Sequence, residues 1–330
     1  MALLLSCVDS ESLFVILESE PLPGSLFYLL CVLCVSAVGI TAETQRGILI
    51  LLRLFFLFLL LCPFASVLAQ QPAVGPVTLL SRTTTRRESA RFGFAGTVTI
   101  VGAPKGSVTI EGWNKSEVEL VAEIEWKGPT EPDLDKLAAV NTFVFDQDLN
   151  HINVLTTGTH DREFMKKSAK NFPKNLLNLP WKIDFRLRVP ASTDLEINAG
   201  HGPVKVSGVE GAMRISATES ETELTMTGGV VSTTVTAGVV TLKIPVRSWR
   251  GGGADIRIAS GILNVELMPG FSGDIDAEIL RTGKVAIDYE GLLSREKPGI
   301  TEKTVRARAG AGGAYFKFTV MDGTVNIKKI

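Results

Sequence analysis

The chain has 330 residues, of which 34 are Lys or Arg and 35 are Asp or Glu, for a net charge of −1. Two of the basic and five of the acidic residues precede residue 70, so 32 and 30 remain after it. A near-neutral domain has no global field that would draw it to a nucleic acid or to an anionic membrane. The charge balance therefore argues against a DNA- or RNA-binding protein.

All four cysteines lie before residue 70, at Cys7, Cys31, Cys34 and Cys62. The chain after residue 69 therefore has no disulfide, no cysteine-ligated metal and no thiol catalyst. With roughly 260 residues it is long enough to bury a sizeable core without such cross-links.

Residues 46–69 have the three parts of a secretory signal peptide. Arg46 and Arg53 supply the positive charge, residues 54–61 form an uninterrupted apolar run, and Val67 and Ala69 stand before the expected cleavage at Gln70. An uncleaved membrane anchor over roughly residues 48–68 is the alternative. A lipoprotein site at Cys62 is disfavoured, because Leu61 occupies a position that normally needs a small residue.

The first 45 residues are an uncertain N-terminal extension. Residues 25–40 form a second apolar run, which is shorter than the roughly 20 residues of a membrane span. Two interpretations stay open: translation starts downstream, for example at Val38, or the segment is an additional membrane helix. Residues 70–94 are predicted to be a linker.

The chain from residue 95 onward carries a strong strand signal. Residues 98–101 and 108–110 alternate apolar and polar side chains around a Gly-Pro turn, and residues 118–126 form a longer alternating run. Such a period of two places one set of side chains in a core and the other in water. Residues 133–139 predict one or two helical turns.

Residues 161–181 interrupt the strand pattern and are predicted to be a partly helical surface insertion. Phe164, Met165, Ala169 and Phe172 fall at helical spacing, and Pro173 would end that helix. The insertion is basic through Arg162, Lys166, Lys167, Lys170 and Lys174. A solvated loop is the default interpretation; contact with lipid headgroups or an acidic partner is the functional one.

A regular repeat begins at Leu195. Strand starts recur every nine residues, at Leu195, Val204, Met213, Thr222, Val231 and Val240. Glycine-containing turns separate these strands, since glycine accepts a positive φ. Further short strands are predicted over residues 255–258, 263–267, 274–279, 284–288, 315–320 and 324–328.

Short, evenly spaced strands are typical of an all-β sandwich, barrel or solenoid. Two strands per coil would give a repeat of about 18 residues, which favours a β-solenoid or β-roll of short glycine-punctuated strands. An antiparallel β-sandwich is the alternative.

Several segments of this strand pattern resemble the bacterial adhesin family of β-strand-repeat domains. They are residues 183–190, 194–197, 200–206, 208–211 and the closing strands within 313–327. Two positions depart from the family pattern: His201 stands where Asn or Ser is favoured, and Pro203 where Asp is favoured. The resemblance covers roughly residues 95–330 and implies a right-handed β-solenoid or roll in an exported or membrane-attached protein. It carries over no catalytic or binding residue.

The sequence contains no recognisable catalytic motif. His151, His160 and His201 lack the spacing of metal ligands, and neither a phosphate-binding loop nor a nucleophile elbow is present. We therefore expect no metal and no cofactor, and no enzymatic activity.

Acidic and aromatic residues provide the remaining candidates for chemistry. Asp255, Asp274 and Asp276 recur near strand starts, and two carboxylates at a set separation would suit a glycoside hydrolase. Exposed acids at strand ends are, however, common in soluble β-proteins. The four tryptophans could stack on sugars, although such residues more often cover a core; they are Trp113, Trp126, Trp181 and Trp249.

We expect a non-catalytic, exported cell-envelope domain with an adhesin-like binding or structural role. The candidate contact residues are Trp113, Trp181, Lys166, Lys167 and Lys170. The expected partner is an envelope protein or a surface polysaccharide, with membrane contact only through the N-terminal segment. The location is then the periplasm, the outer surface or a membrane-anchored envelope. A carbohydrate-active enzyme on a β-helix and a membrane-anchored envelope sensor or accessory protein are the alternatives.

Overall fold

The computed structural model describes residues 79–330 of the chain. The N-terminal extension, the predicted signal peptide or anchor, and residues 70–78 lie outside the described residues. Residues 79–330 form an all-β structure in which sixteen strands belong to one large sheet. No helix of this described part is long and apolar enough to cross a membrane.

The elements follow one another with short connections. In chain order they are β1 Leu80–Arg91, β2 Thr97–Val101, β3 Val108–Trp113, β4 Glu117–Gly128, α1 Glu131–Val140, β5 Thr142–Gln147, β6 His151–Thr157, α2 Arg162–Ser168, a 3₁₀ turn Lys174–Leu176, β7 Trp181–Pro190, β8 Asp194–His201, β9 Val204–Ser207, β10 Ala212–Thr225, β11 Gly228–Ile244, β12 Arg250–Leu267, β13 Gly273–Asp288, β14 Leu292–Ser294, β15 Thr304–Ala309 and β16 Tyr315–Lys329.

The centre of the sheet is parallel. β8 and β9 pair with β10, followed by β11, β12, β16 and β13, and all of these pairs are parallel. The register confirms the nine-residue spacing, because alternate strand starts pair with each other. The two sets are Leu195, Met213 and Val231, and Val204, Thr222 and Val240.

Each long strand consists of two halves that meet at a column of mostly glycine residues. We call this the bend column; it contains Gly106, Gly202, Ser220, Gly238, Gly261, Gly323 and Gly283. Gly261 has a φ of +150°, and a Cβ there would lie 1.8 Å from the carbonyl oxygen of Gly238. A side chain is therefore excluded by both conformation and space.

The bend column corrects one sequence prediction. Ala237 and Gly238 were predicted to form a tight turn between two short strands, but both lie inside β11, which continues through them. The positive φ of Gly238 redirects the strand while its pairing with β10 and β12 is kept. We call the parts before and after the bend column the first and second halves of the strands.

Large apolar side chains fill the opposite side, where the chain passes from a second half to the next first half. We call this the turn side; its filling residues are Val209, Met226, Trp249 and Phe271, all buried. Inward-facing residues of both halves belong to one core cluster, whose members lie between Ala90 and Ile327. Residues 79–330 also belong to one compact unit. Since it contains a complete core, we expect it to fold without the preceding residues.

The strand order at the C-terminal end departs from the chain order. β13 follows β12 in sequence, yet the last strand, β16, lies between them. Lys317 of β16 is thus opposite Asp255 of β12 on one side and Asp276 of β13 on the other. β15 and β14 extend the sheet beyond β13 by antiparallel pairing.

The N-terminal end contains a strand that the sequence did not predict. Residues 80–91, expected to be linker, form β1, which pairs antiparallel with β4 along its whole length. β1 has few apolar residues and is held by backbone pairing and by ion pairs of Arg82 with Glu131 and Asp135 of α1. The predicted helix is confirmed as α1, whose Leu134 and Leu137 are fully buried.

Candidate functional site

The insertion between β6 and β7 is held by a hydrogen-bond network at its base. The buried side chain of Asn141 accepts a hydrogen bond from the backbone N–H of Thr159 through Oδ1 at 2.8 Å. The hydroxyl of Thr159 accepts one from Trp181 Nε1 at 3.2 Å, and the carbonyl of Asn141 accepts one from Trp126 Nε1 at 2.9 Å. These contacts fix where the chain leaves and re-enters the sheet.

Trp181, a predicted contact residue, is only 9% exposed. Its ring lies 5.5 Å from that of His160, and burial lowers the pKa of that histidine. Trp181 also borders a pocket of about 390 Å³ that is lined by Lys105, Glu125, Lys127 and Lys182. The residue therefore packs as part of the fold and leaves only its margin at the surface.

The three predicted lysines lie beside this base. Lys166 and Lys167 are on α2, Lys170 follows it, and all three are exposed. Trp113 is not part of the same site. Trp113 pairs with Pro190, the last residue of β7, whereas Trp181 is the first residue of that strand. The two ends of an extended strand of this length are about 30 Å apart.

Trp113 belongs to a separate surface at that far end. Its Nε1 donates to the carbonyl of Glu117 at 2.9 Å, and the ammonium of Lys115 lies 4.3 Å above its ring. The other two tryptophans, Trp126 and Trp249, are buried, which confirms for them the interpretation as core-covering residues.

A cleft that the sequence did not predict as a site lies near the C-terminal strands, beside the first halves of β13 and β16. We call it the C-terminal cleft; its volume is about 500 Å³. It lies between the outward faces of β13, β15 and β16 and the loop after β14. The polar side chains in its lining are Asp276, Glu278, Arg295, Glu296, Thr304, Arg306, Tyr315, Lys317 and Thr319.

Tyr315 is the aromatic member of the C-terminal cleft, and its ring is fixed by Asp276. The Tyr315 hydroxyl donates to Asp276 Oδ2 at 2.6 Å, and this hydrogen bond raises the pKa of Tyr315. Arg295 forms an ion pair with the same carboxylate, and its guanidinium lies 6.0 Å from the tyrosine ring centre. Tyr315 is 44% exposed, so one part of the ring remains accessible.

The other charged side chains of this end divide into paired and unpaired groups. Arg306 pairs with Glu296, and Arg308 donates to Asp274 at 2.8 Å, which lowers the pKa of Asp274. Glu278 and Lys317 are exposed and have no ion-pair partner within 4 Å among residues 79–330. The cleft thus offers a carboxylate, an ammonium and an aromatic ring to a polar molecule.

Sequence reasoning found only part of this cleft. Asp276 was singled out, but its partners come from β16 and from the loop before β15. Asp255, singled out with it, is paired with Arg257 of its own strand at 2.6 Å. Acidic residues recur at every second position at 274, 276 and 278, and arginines do so at 306 and 308. Because opposite charges face each other across neighbouring strands, these two patterns could have predicted that the segments pair as antiparallel strands.

The histidines do not converge on a site. His151 lies 3.3 Å from Asp148, and His201 lies 3.2 Å from Glu219, each at its own surface. Within residues 79–330, no three His, Cys, Asp or Glu side chains are grouped so as to hold a metal ion.

Comparisons with known proteins give remote similarities only. No protein-family model matches the chain, and no curated protein matches it. A "putative cell adhesion protein" from Clostridium sporogenes is 11% identical over 75% of this chain and 100% of its own, with a TM-score of 0.42. A "putative adhesin" from Bacteroides fragilis is 10% identical over 75% and 97%, with a TM-score of 0.29.

A "putative lipid binding protein" from Parabacteroides distasonis is 13% identical over 75% of this chain and 97% of its own, with a TM-score of 0.24. The similar solved structures thus include bacterial proteins described as adhesins. TM-scores below 0.5 are too low to assign the fold or the activity of this chain from theirs.

Proposed function

We propose that this chain is an exported cell-envelope protein whose β-strand domain binds a surface polysaccharide through the C-terminal cleft, without catalysing a reaction. The domain would be a right-handed β-solenoid in which two strand halves make one coil. The parallel pairing of Leu195, Met213 and Val231, each 18 residues after the last, supports such coils. Export is proposed from the signal-like pattern of residues 46–69.

The combination of Tyr315 with unpaired charges in the cleft supports a carbohydrate ligand. An exposed ring face suits the C–H groups of a sugar, while carboxylate, ammonium and guanidinium groups suit its hydroxyls. Asp276 accepts a hydrogen bond from the Tyr315 hydroxyl and is itself ion-paired with Arg295, so the ring is ordered before a ligand arrives. A prearranged site loses less entropy on binding than a mobile one.

The pairing of the carboxylates favours binding over hydrolysis. A glycoside hydrolase needs one carboxylic acid with a raised pKa to protonate the leaving group. A glycoside hydrolase also uses two carboxyl groups at a set separation, whereas Asp276 of the cleft is ion-paired with Arg295 and Glu296 with Arg306. Glu278 is left as the one carboxylate of the cleft without a basic partner within 4 Å among residues 79–330. The gathering of Asp276, Glu278 and Glu296 nevertheless makes a carbohydrate-active enzyme the alternative to test.

The test is calorimetric titration of the protein with polysaccharides isolated from the envelope of the producing cells. Glu278→Gln should weaken binding about three- to tenfold, the range expected for one charge-assisted hydrogen bond. Glu221→Gln is the matched control, because Glu221 is an exposed carboxylate in the second half of β10.

The two candidate functions give different results in this experiment. Binding without release of reducing ends supports the proposal. Release of reducing ends that Glu278→Gln abolishes would replace it with the enzyme. Equal loss in Glu278→Gln and Glu221→Gln, or no binding to any envelope polysaccharide, would remove the cleft from consideration.

A further inference from the structure

We propose that the insertion between β6 and β7 forms a surface that binds the anionic headgroups of a phospholipid bilayer. We call this surface the basic end; it consists of Arg162, Lys166, Lys167, Lys170 and Lys174, together with Lys105, which lines a pocket with Pro180 and Trp181 at the end of the insertion. The inference goes beyond the proposed polysaccharide role and does not depend on it, since the C-terminal cleft lies at the other end of the sheet.

The cations of the basic end lack acidic partners. None of the six has a carboxylate within 4 Å among the described residues. Residues 161–180 contain only two carboxylates, and that of Asp161 accepts hydrogen bonds from the backbone N–H groups of Glu163 and Phe164. The local excess of positive charge exists although the domain as a whole is nearly neutral.

The second halves of the central strands show the opposite arrangement. There Glu223 lies 3.1 Å from Lys205 and 2.8 Å from Lys243, and Lys328 lies 3.1 Å from Glu266. These lysines are already neutralised by the protein. The lysines of the insertion therefore differ from those of the second halves, because no carboxylate within 4 Å neutralises them among residues 79–330.

Partly exposed apolar side chains lie among these cations. α2 has no fully buried residue, and its Phe164 and Met165 are only half-buried. The segment is nevertheless anchored, because Leu176 is buried and Phe172 packs against the core. Cations next to accessible apolar side chains on an ordered support suit the headgroup region of a bilayer, where both are accommodated.

The start of β1 lies close to the end of the insertion. Ser81, at the start of β1, pairs with Lys127 of β4, whose backbone N–H donates to the carbonyl of Pro180 at 3.0 Å. The start of β1 is thus two strand spacings, about 10 Å, from the end of the insertion.

The acidic residues near this end do not cancel the basic surface. Glu131 and Asp135 of α1 are paired with Arg82, and Asp133 is paired with Lys136 at 3.1 Å. Glu125 is shared between Lys127 and Lys182. Five cations of the insertion outnumber its two carboxylates, Asp161 and Glu163, and a bilayer with negative headgroups is complementary to that excess of positive charge.

The test is cosedimentation of the fragment Val74–Ile330 with vesicles at physiological salt. It compares vesicles of phosphatidylcholine containing 30% phosphatidylglycerol with vesicles of phosphatidylcholine alone. We expect binding to the anionic vesicles that is lost at high salt, because surface attraction is screened. The triple variant Lys166→Gln, Lys167→Gln, Lys170→Gln should lower the partition coefficient about 100-fold, since each cation contributes roughly fivefold.

A second triple variant controls for net charge. Lys284, Lys297 and Lys329 are exposed and unpaired within the described residues but lie at the C-terminal end, and their change to Gln should leave vesicle binding unaltered. Equal loss in the two triple variants would show non-specific attraction and overturn the proposal. Equal binding to neutral vesicles, or binding to soluble polyphosphate without binding to vesicles, would also overturn it.

Discussion

The bend column and the turn side are the two borders at which strand halves meet, and they are closed in opposite ways. In the bend column, backbone meets backbone, and the position of a Cβ on Gly261 is only 1.8 Å from the carbonyl oxygen of Gly238. On the turn side, Val209, Met226, Trp249 and Phe271 fill the space with large buried side chains. One sheet therefore needs the absence of side chains along one border and their presence along the other.

The difference follows from how the chain crosses each border. At the bend column the strand continues, so neighbouring chains remain paired at about 4.8 Å and leave no space for a side chain. On the turn side the chain leaves the sheet through connections of different length. The gaps left there must be filled to the density of a protein interior, which apolar side chains do.

The largest expected effect comes from a side chain added to the bend column. Gly323→Ala would place a Cβ 1.7 Å from the carbonyl oxygen of Gly261, at a φ of +148°. β16 is paired on both sides, so neither neighbour can move without loss of pairing. We expect the free energy of unfolding to fall by more than about 4 kcal/mol, measured by urea denaturation.

A control separates close approach from backbone strain. Gly291 has a φ of +89°, but a Cβ there would meet nothing within 4 Å. Gly291→Ala should cost only about 1–2 kcal/mol, the cost of the left-handed conformation. Similar losses in Gly323→Ala and Gly291→Ala would mean that conformation alone explains the glycines of the bend column.

The next largest effect should come from emptying the turn side. Trp249 is 7% exposed, its ring is 5.2 Å from that of Phe316, and its Nε1 donates to the carbonyl of Gly229 at 3.0 Å. Trp249→Ala should lower the free energy of unfolding by about 3–4 kcal/mol through the cavity that it leaves. Trp249→Phe keeps most of the packing and should cost about half as much. A loss below about 1 kcal/mol in Trp249→Ala would contradict closure by packing.

Much of this architecture could be predicted from local patterns. The nine-residue spacing of the strand starts is kept in the register of β8 to β11, and the burial of Trp249 agrees with the interpretation of tryptophans as core-covering residues. The bends were mistaken for turns because Gly238 carries the same signal in both: a glycine with a positive φ. Only the continued pairing of β11 with its neighbours distinguishes the two.

The C-terminal cleft could not be predicted in the same way. Its parts come from β13, from the loop before β15, and from β16, which lies between β12 and β13 against the order of the chain. That placement depends on long-range pairing, which no short pattern encodes. β1 was missed for a related reason, because its polar residues gave no apolar alternation and its stability depends on β4.

Ser220 is the exception within the bend column and gives a smaller, sharper test. It is buried, and its hydroxyl lies 3.0 Å from that of Thr222. Ser220→Gly should cost about 1.5 kcal/mol, because a glycine in a strand loses more entropy and the buried Thr222 hydroxyl loses its partner. Ser220→Ala should cost about 1 kcal/mol, and the free energies of unfolding of both variants are measured by urea denaturation. A gain in stability for Ser220→Gly would show that the whole column prefers glycine.

The smallest effect is expected at the outward-facing ion pairs, which belong to neither border. Lys243 and then Lys205 donate hydrogen bonds to Glu223, and these lower the pKa of its carboxyl group. A lowered pKa in the folded protein stabilises the fold above the carboxyl's unfolded value, and this contribution is lost as the pH falls through the folded value. Because the Glu223 side chain is 32% exposed, Glu223→Gln should cost only about 0.5 kcal/mol at pH 7.

The same difference should shrink in urea denaturation as the pH falls below the carboxyl's unfolded value and the wild-type carboxylate of the folded protein becomes protonated. Glu221→Gln, an exposed and unpaired neighbour on β10, should show no difference at any pH. If the Glu223→Gln loss persisted undiminished at pH 3, its origin would be packing rather than charge. Packing of outward-facing side chains would then also stabilise the sheet. The difference between the bend column, which has almost no side chains, and the filled turn side would no longer explain the stability of the domain by itself.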